Sequence, residues 1–318
     1  NNGLIEVSGK NSVGIFSNTG YTTNSGTITV GDHGIGVYAD TFIDPEDNPY
    51  NYTNGGVYNS GTIIAKEGSN AVGIYSNYNS PEGSYSSINT ILENGSNIDV
   101  SASKGGVGVY ANKAMIQGSG NIKISAGENG VGIYSKSEGV SLYGNTELNL
   151  KGDNAVGVYL DNSTGFEGTG TANVDGKGIV VINKVGGQNY YNQNFNVNST
   201  AGSKYILQNI ENDSIVYNNS SVLGEGGTFA AGVNSSVVLG TDSSIHSDYS
   251  NMAGIALNGI YMENSQEIPY EAVNKGIIEF GDNSTGLYVT NGADAQNEGT
   301  ISLGNNSAGL YGKGNGSV

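Results

Sequence analysis

A short phrase, small residue then apolar, Gly, apolar and aromatic, recurs along this chain as NSVGIF, HGIGVYA, NAVGIYS, GGVGVYA, NGVGIYS, NAVGVYL, STGLYV and SAGLYG. The closing aromatics are Phe16, Tyr38, Tyr75, Tyr110, Tyr134, Tyr159, Tyr288 and Tyr311, with spacings of 22, 37, 35, 24 and 25 and, between the last two, 23. A base period of about 23 to 25 residues, with extra residues inserted in particular repeats, is the mark of a solenoid: each repeat can bury its apolar side only against its neighbours.

Each repeat begins with an alternating strand, as in Thr27-Ile28-Thr29-Val30, Asn121-Ile122-Lys123-Ile124, Ile277-Ile278-Glu279-Phe280 and Thr300-Ile301-Ser302-Leu303. One face of such a strand is apolar and the other polar. The phrase supplies a second strand, and stretches such as Val140-Ser141-Leu142-Tyr143 a third. Corners of the type Gly-Asp-Asn separate them. The spaced leucines and helical return of a leucine-rich repeat are missing. The expected fold is all-β, a right-handed parallel β-helix of about 23 to 25 residues per rung, with residues 1–318 forming a single segment of a longer chain because it begins and ends in mid-repeat. In such a coil rungs stack about 4.8 Å apart, so Ile and Val form an interior column and Tyr an aromatic ladder. The repeated Gly is expected where a side chain would collide with the neighbouring corner or where φ is positive.

Composition agrees. The 318 residues include 52 Gly but only 4 Pro, and neither Cys nor Trp. Val, Ile, Tyr and Thr suit a pleated sheet, whereas Gly and Asn suit its corners and disfavour helix. Twelve basic residues, all Lys, against 29 acidic ones give a net charge of −17. That balance excludes nucleic acid, which needs clustered cations, and opposes an anionic membrane surface. It suits an extracellular, Cys-free protein. No apolar run reaches the length of a membrane span, and NNGLIEV lacks the pattern of a signal peptide.

Departures from the period are the candidate contact surfaces. Residues 40–58 (DTFIDPEDNPYNYTNGGVY) and 76–93 are expected as two loops standing side by side on neighbouring rungs. Residues 183–250 lose the phrase and are expected as irregular rungs, with NYYNQNFN (residues 189–196) the most exposed aromatic cluster. The candidate ligand-binding residues are Phe42, Asp44, Glu46, Asp47, Tyr50 and Tyr52 in the first insertion, Tyr78 and Tyr85 in the second, and Tyr190 and Tyr191 in the third region. Acidic groups and amphipathic rings in polar loops suit contact with a sugar face or a protein surface. Phrase tyrosines are read as structural.

Catalytic and metal readings are weaker. Gly281-Asp282-Asn283-Ser284 faintly resembles a serine-protease signature, with His33 and His246 available, but Gly152-Asp153-Asn154 and Gly31-Asp32-His33 mark the same corner in other repeats. Asp44, Glu46 and Asp47 share one loop and do not form the facing carboxylates of a glycosidase. They also lack calcium-loop spacing. The expectation is no enzyme, no catalytic residue, no metal and no cofactor.

The alternation of NSGTITVGDHGIGVYA and NEGTISLGNNSAGLYG with Gly-Asn corners resembles the passenger regions of large fusobacterial outer-membrane autotransporters, the family that contains galactose-binding and arginine-inhibitable adhesins. The resemblance covers residues 1–182 and 270–318. It implies a monomeric β-helical passenger displayed on the bacterial cell surface and held to the outer membrane through a C-terminal barrel outside this sequence. It further implies coaggregation with a partner bacterium or attachment to a host-cell receptor protein or glycan. Two alternatives are a non-binding stalk that presents a distal head and a glycan-degrading β-helix enzyme.

Overall fold

The computed structural model describes residues 1–18, 20–42, 55–79, 88–184, 190–263, 266–314 and 318. Among them every regular element is a strand, and the parallel sheets stack as a β-solenoid of about 11 turns. The chain divides into two compact units, residues 1–170 and 171–318.

In residues 1–170 a turn has three faces. The phrase strands Val13–Asn18, Ile35–Phe42, Val72–Asn79, Val107–Asn112, Val131–Lys136 and Ala155–Asp161 stack into one long sheet. A second face follows it, built from Tyr21–Asn24, Gly55–Asn59 and Ile88–Leu92, and a third from Leu4–Val7, Thr27–Val30, Thr62–Ala65 and Asn97–Asp99. From residue 115 onward single strands, Met115–Ala126 and Val140–Lys151, serve both of those faces. Register places like on like. Ile28, Ile63, Ile98 and Ile124 pair in succession and are all but inaccessible to water, forming one spine of the core.

The glycine of the phrase is explained by close approach between turns. A Cβ on Gly73 would lie 2.5 Å from the carbonyl oxygen of Gly108 and 2.8 Å from Ile98 Cγ2, and one on Gly108 would lie 2.5 Å from the carbonyl oxygen of Gly132. None of the three has a positive φ. Collision, with the next glycine rather than with a corner, therefore accounts for the column.

A positive φ recurs at the corner between the third face and the long sheet. His33 (53°), Asn70 (52°), Asn129 (55°) and Asn154 (60°) occupy it in different turns. The His33 amide donates to Ser69 O at 2.9 Å, and the Asn70 amide to Lys104 O at 2.9 Å, so the left-handed residue links its turn to the next. Asn is the residue with a side chain that enters this conformation most readily, hence Gly-Asp-Asn. A buried chain of amides closes the corner between the second and third faces. Asn24 Nδ2 donates to Asn59 Oδ1 at 2.8 Å, and Asn59 Nδ2 donates to Gly61 O and to Ser96 Oγ, both at 3.1 Å.

Residues 171–318 repeat the plan. Their long sheet comprises Lys177–Lys184, Lys204–Glu211, Gly227–Val233, Ala253–Asn258, Thr285–Thr290 and Ala308–Lys313. The second face holds Ser214–Tyr217, Ser236–Leu239, Glu271–Asn274 and Asp294–Asn297, and the third Ser220–Val222, Ser244–His246, Ile277–Phe280 and Thr300–Leu303.

Over 183–250, expected as irregular rungs, the described strands pair in parallel register. The phrase is lost because aromatic bulk moves inside the coil. Phe195 and Phe229 are fully buried and Tyr205 and Tyr217 nearly so, with the Tyr217 ring 4.8 Å edge-on from Phe229. Tyr205 Oη donates to Gly224 O at 3.0 Å, and the Tyr217 hydroxyl lies 2.7 Å from that of Ser221. Burial pushes the Tyr217 phenol up to about 12 and raises that of Tyr205 as well.

Candidate functional site

One corner carries the long insertions of this solenoid, whereas the corner between the third face and the long sheet changes only from seven residues, Ile28 to Ile35, to nine, Ile63 to Val72. In the short turns the chain passes from the long sheet to the second face through a left-handed residue: Lys113, Ser137 and Asn162 in residues 1–170, and Asn212, Asn234 and Asn291, the last followed by Gly292 at 89°, in residues 171–318. These residues link turns as the other corner does; Lys113 N, for example, donates to Lys136 O at 2.9 Å. The inserted residues enter at the same step, between Phe42 and Gly55, between Asn79 and Ile88, between Lys184 and Tyr190, and between Asn258 and Glu271.

Register survives the longest of them. Tyr38 pairs with Tyr75 and Tyr75 with Tyr110 on one side, and Ile88 with Gly55 on the other, so the first two insertions leave from adjacent turns of one edge. In the second unit the insertion contains an antiparallel hairpin, Ile260–Glu263 against Gln266–Pro269.

At this corner in residues 1–170 a polar row stands beside the insertions. Asn77 Nδ2 donates to Asp40 Oδ1 at 2.8 Å, and Asn112 Nδ2 to Asn77 Oδ1 at 2.7 Å. On the second face Tyr21, 56% exposed, tilts against Tyr58 with ring centroids 5.5 Å apart. The sequence offered no reason to single out this pair, because Tyr21 and Tyr58 are far apart in the chain and outside the phrase.

The predicted ligand-binding residues are distributed as follows. Asp44, Glu46, Asp47, Tyr50, Tyr52 and Tyr85 lie outside the described residues. Phe42 closes the strand Ile35–Phe42, and its backbone pairs with Asn79. Tyr78 was expected in an exposed loop, but it lies within the strand Val72–Asn79, paired with Thr41, and is only 7% exposed. Its ring is core, not contact surface, because the alternation of the phrase strand continues to residue 78. Tyr190 and Tyr191 open the strand Tyr190–Ser199, so NYYNQNFN is largely strand, with Phe195 facing the interior. The insertions are correspondingly shorter than 40–58 and 76–93, since residues 40–42, 55–58, 76–79 and 88–92 are strand.

A groove of about 480 Å³ lies on the second face of residues 171–318. Val216, Val238 and Val273 line its floor in register; Glu271, Lys275 and Glu298 rim it. Val216 is 53% exposed, and Lys275 Nζ lies 3.4 Å from the Glu298 carboxylate. The strand Glu271–Asn274 follows the hairpin directly, which puts the insertion at the entry to this groove.

Other ionisable groups serve the corners. Asp32 accepts hydrogen bonds from the backbone amide of Ser69 at 2.8 Å and its hydroxyl at 3.0 Å, with His33 Nδ1 at 2.9 Å. The Ser69 amide chiefly holds its carboxyl down at about 2. Ser284, of the protease-like run, is 1% exposed, and its Oγ accepts the Met252 amide at 3.1 Å while donating to Asp282 O at 3.2 Å. It fastens one turn to another. Among the described residues no group of three or more His, Cys, Asp or Glu could hold a metal ion, and no helix is long and apolar enough to cross a membrane. Comparison of the chain with protein-family models, curated proteins and solved structures returns no match.

Proposed function

We propose that this chain is the adhesive passenger of a monomeric surface autotransporter, anchored at the bacterial outer membrane. It holds a host-cell receptor protein or glycan, or the surface of a partner bacterium, through segments carried on one corner of a β-solenoid. The observation that supports this reading is the restriction of the long insertions to a single step of the turn while register on both sides stays fixed. A repeat scaffold that tolerates length changes at one corner is suited to displaying contact segments, and in repeat proteins insertions on one face commonly mark the binding face. Tyr21, Tyr58, the Asp40–Asn77–Asn112 row and the valine-floored groove extend this contact surface onto the adjoining faces.

Deletion of residues 43–54, of 80–87, or of both from the full chain tests the reading. Thermal unfolding of the variants is expected to match the parent, because no described strand is removed, while attachment to cells and to a glycan array falls. Attachment unchanged in the double deletion overturns it. The stalk alternative draws on the unbroken columns of residues 1–170 and expects the parent itself to bind no cell, receptor or glycan.

A further inference from the structure

We propose that the outer face of the long sheet in residues 1–170 is a binding site for elongated, planar, cationic aromatic molecules, which lie across successive strands in the channel beside the tyrosine column. Phe16, Tyr38, Tyr75, Tyr110, Tyr134 and Tyr159 stack in order, with centroid separations of 5.4, 4.9, 5.1, 5.1 and 5.0 Å and interplanar angles no larger than 12°. Parallel to them, three residues earlier in each strand, runs a β-branched column of Val13, Ile35, Val72, Val107, Val131 and Val156, paired in the same register. Both columns are partly accessible to solvent, while the residues between them are turned inward. The phrase glycine lies between the columns, so the floor there is bare backbone. The result is a trough with an aromatic wall and an aliphatic wall, unbroken over six strands.

Its dimensions select the occupant. Five steps of strand spacing make the trough about 25 Å long, and three residues of extended chain make it about 10 Å wide. An area of a few hundred Å² is far below the roughly 800 Å² per partner of a stable protein interface, so a second copy of the chain is not the occupant. A flat molecule one ring thick and several rings long can touch both walls along its whole length, gaining dispersion contact at every strand. Charge sets the sign. The row beyond the tyrosines is Asp40, Asn77, Asn112, Lys136 and Asp161, and the chain as a whole carries −17, so a cation is drawn in and an anion repelled. Residues 171–318 provide an internal control, because the equivalent column there contains Asn209, Ala231 and Ala256 and stacks only Tyr288 on Tyr311 at its end, too short for such a wall.

Thioflavin T, a cationic and elongated benzothiazole dye, is the probe. Titrated into the full chain while sedimentation velocity monitors its state, the dye is expected to show saturable binding with a rise in emission and no change in protein mass. Val131→Lys, which places a cation in the aliphatic wall from a partly exposed position, should weaken binding by about tenfold or more, and Tyr110→Ala, which interrupts the aromatic wall, should do the same. Ala256→Lys should leave binding unchanged. If Tyr110→Ala fails to fold, Val131→Lys with parental circular dichroism decides alone. Absence of saturable binding overturns the proposal, as does equal binding by the parent and Val131→Lys, a loss of binding in Ala256→Lys, or emission that appears only in sedimenting aggregates.

Discussion

The two units of this protein place many of their aromatic residues on opposite sides of the same architecture. In residues 1–170 six rings stack on the outside of the sheet and the interior is filled mainly by Ile, Val, Leu and Ala, with Phe166 and Tyr78 the buried aromatics. In residues 171–318 the outer column contains Asn209, Ala231 and Ala256 before Tyr288 and Tyr311 resume it, while Phe195, Tyr205, Tyr217 and Phe229 fill the interior. Both arrangements keep the parallel register. The coil thus has two independent means of securing its turns, stacking outside and packing inside, and a repeat that gives up one can rely on the other.

The comparison is broken most strongly through the glycine column. Gly73→Val should destabilise the chain by about 3 kcal/mol, since the new side chain meets backbone and Ile98 with no room to turn. Gly309→Ala occupies the same place in the last phrase, where nothing lies within 4 Å, and should change the urea midpoint by less than the equivalent of about 0.5 kcal/mol. Equal effects at the two sites would show that backbone conformation, not close approach, selects the glycine.

Next in size is the buried amide chain. Asn59→Leu removes the acceptor for Asn24 Nδ2 and the donor to Ser96, and should cost about 2 kcal/mol in equilibrium unfolding. A comparable loss is expected for Tyr110→Ala, which forfeits two stacked neighbours worth about 0.5 to 1.5 kcal/mol each beyond burial.

The converse substitution sharpens the contrast. Ala256→Tyr, partly exposed and in register with Tyr288, should extend the second unit's short ladder and raise stability by about 1 kcal/mol. A destabilisation would mean that the outer column of residues 171–318 has lost its capacity to stack.

The smallest effect is on the alkaline limb. Tyr38, Tyr75 and Tyr134 have phenols raised above their ordinary value, first by desolvation and, for Tyr134, by its 2.7 Å hydrogen bond to Asp161. Because the folded state holds these protons more tightly than the unfolded chain, the stability they provide is complete below pH about 10 and is lost as pH rises through the folded values. Urea midpoints measured from pH 9 upward should fall in the parent and fall less steeply in Tyr134→Phe. Parallel pH profiles for the two would remove Tyr134 from the ladder's electrostatics.

How far the sequence could be read follows from where each residue type acts. The phrase, the alternating strands and the Gly-Asp-Asn corners were legible because a solenoid repeats one environment at a fixed interval, so every copy reports the same constraint. Tyr78 was misread because it follows the phrase closely, and only strand pairing with Thr41 reveals that the alternation runs two residues further. Phe195 sits among Asn residues that suggest a loop, yet an Asn-rich strand is permitted when its outer face is solvated. The Asn24–Asn59–Ser96 chain went unnoticed because hydrogen bonds between turns join residues 35 and 37 positions apart.

The sequence by itself determined the parallel stacking of turns, the identity of the core columns and the residues able to take left-handed corners, since each depends on a local pattern repeated at one period. Only the tertiary structure decided that the glycines answer to collision rather than to φ, that Phe195, Tyr205, Tyr217 and Phe229 turn inward, and that the long insertions leave from one corner. Those three depend on which atoms face each other across adjacent turns, and a periodic pattern fixes the spacing of such neighbours without fixing the side on which they meet.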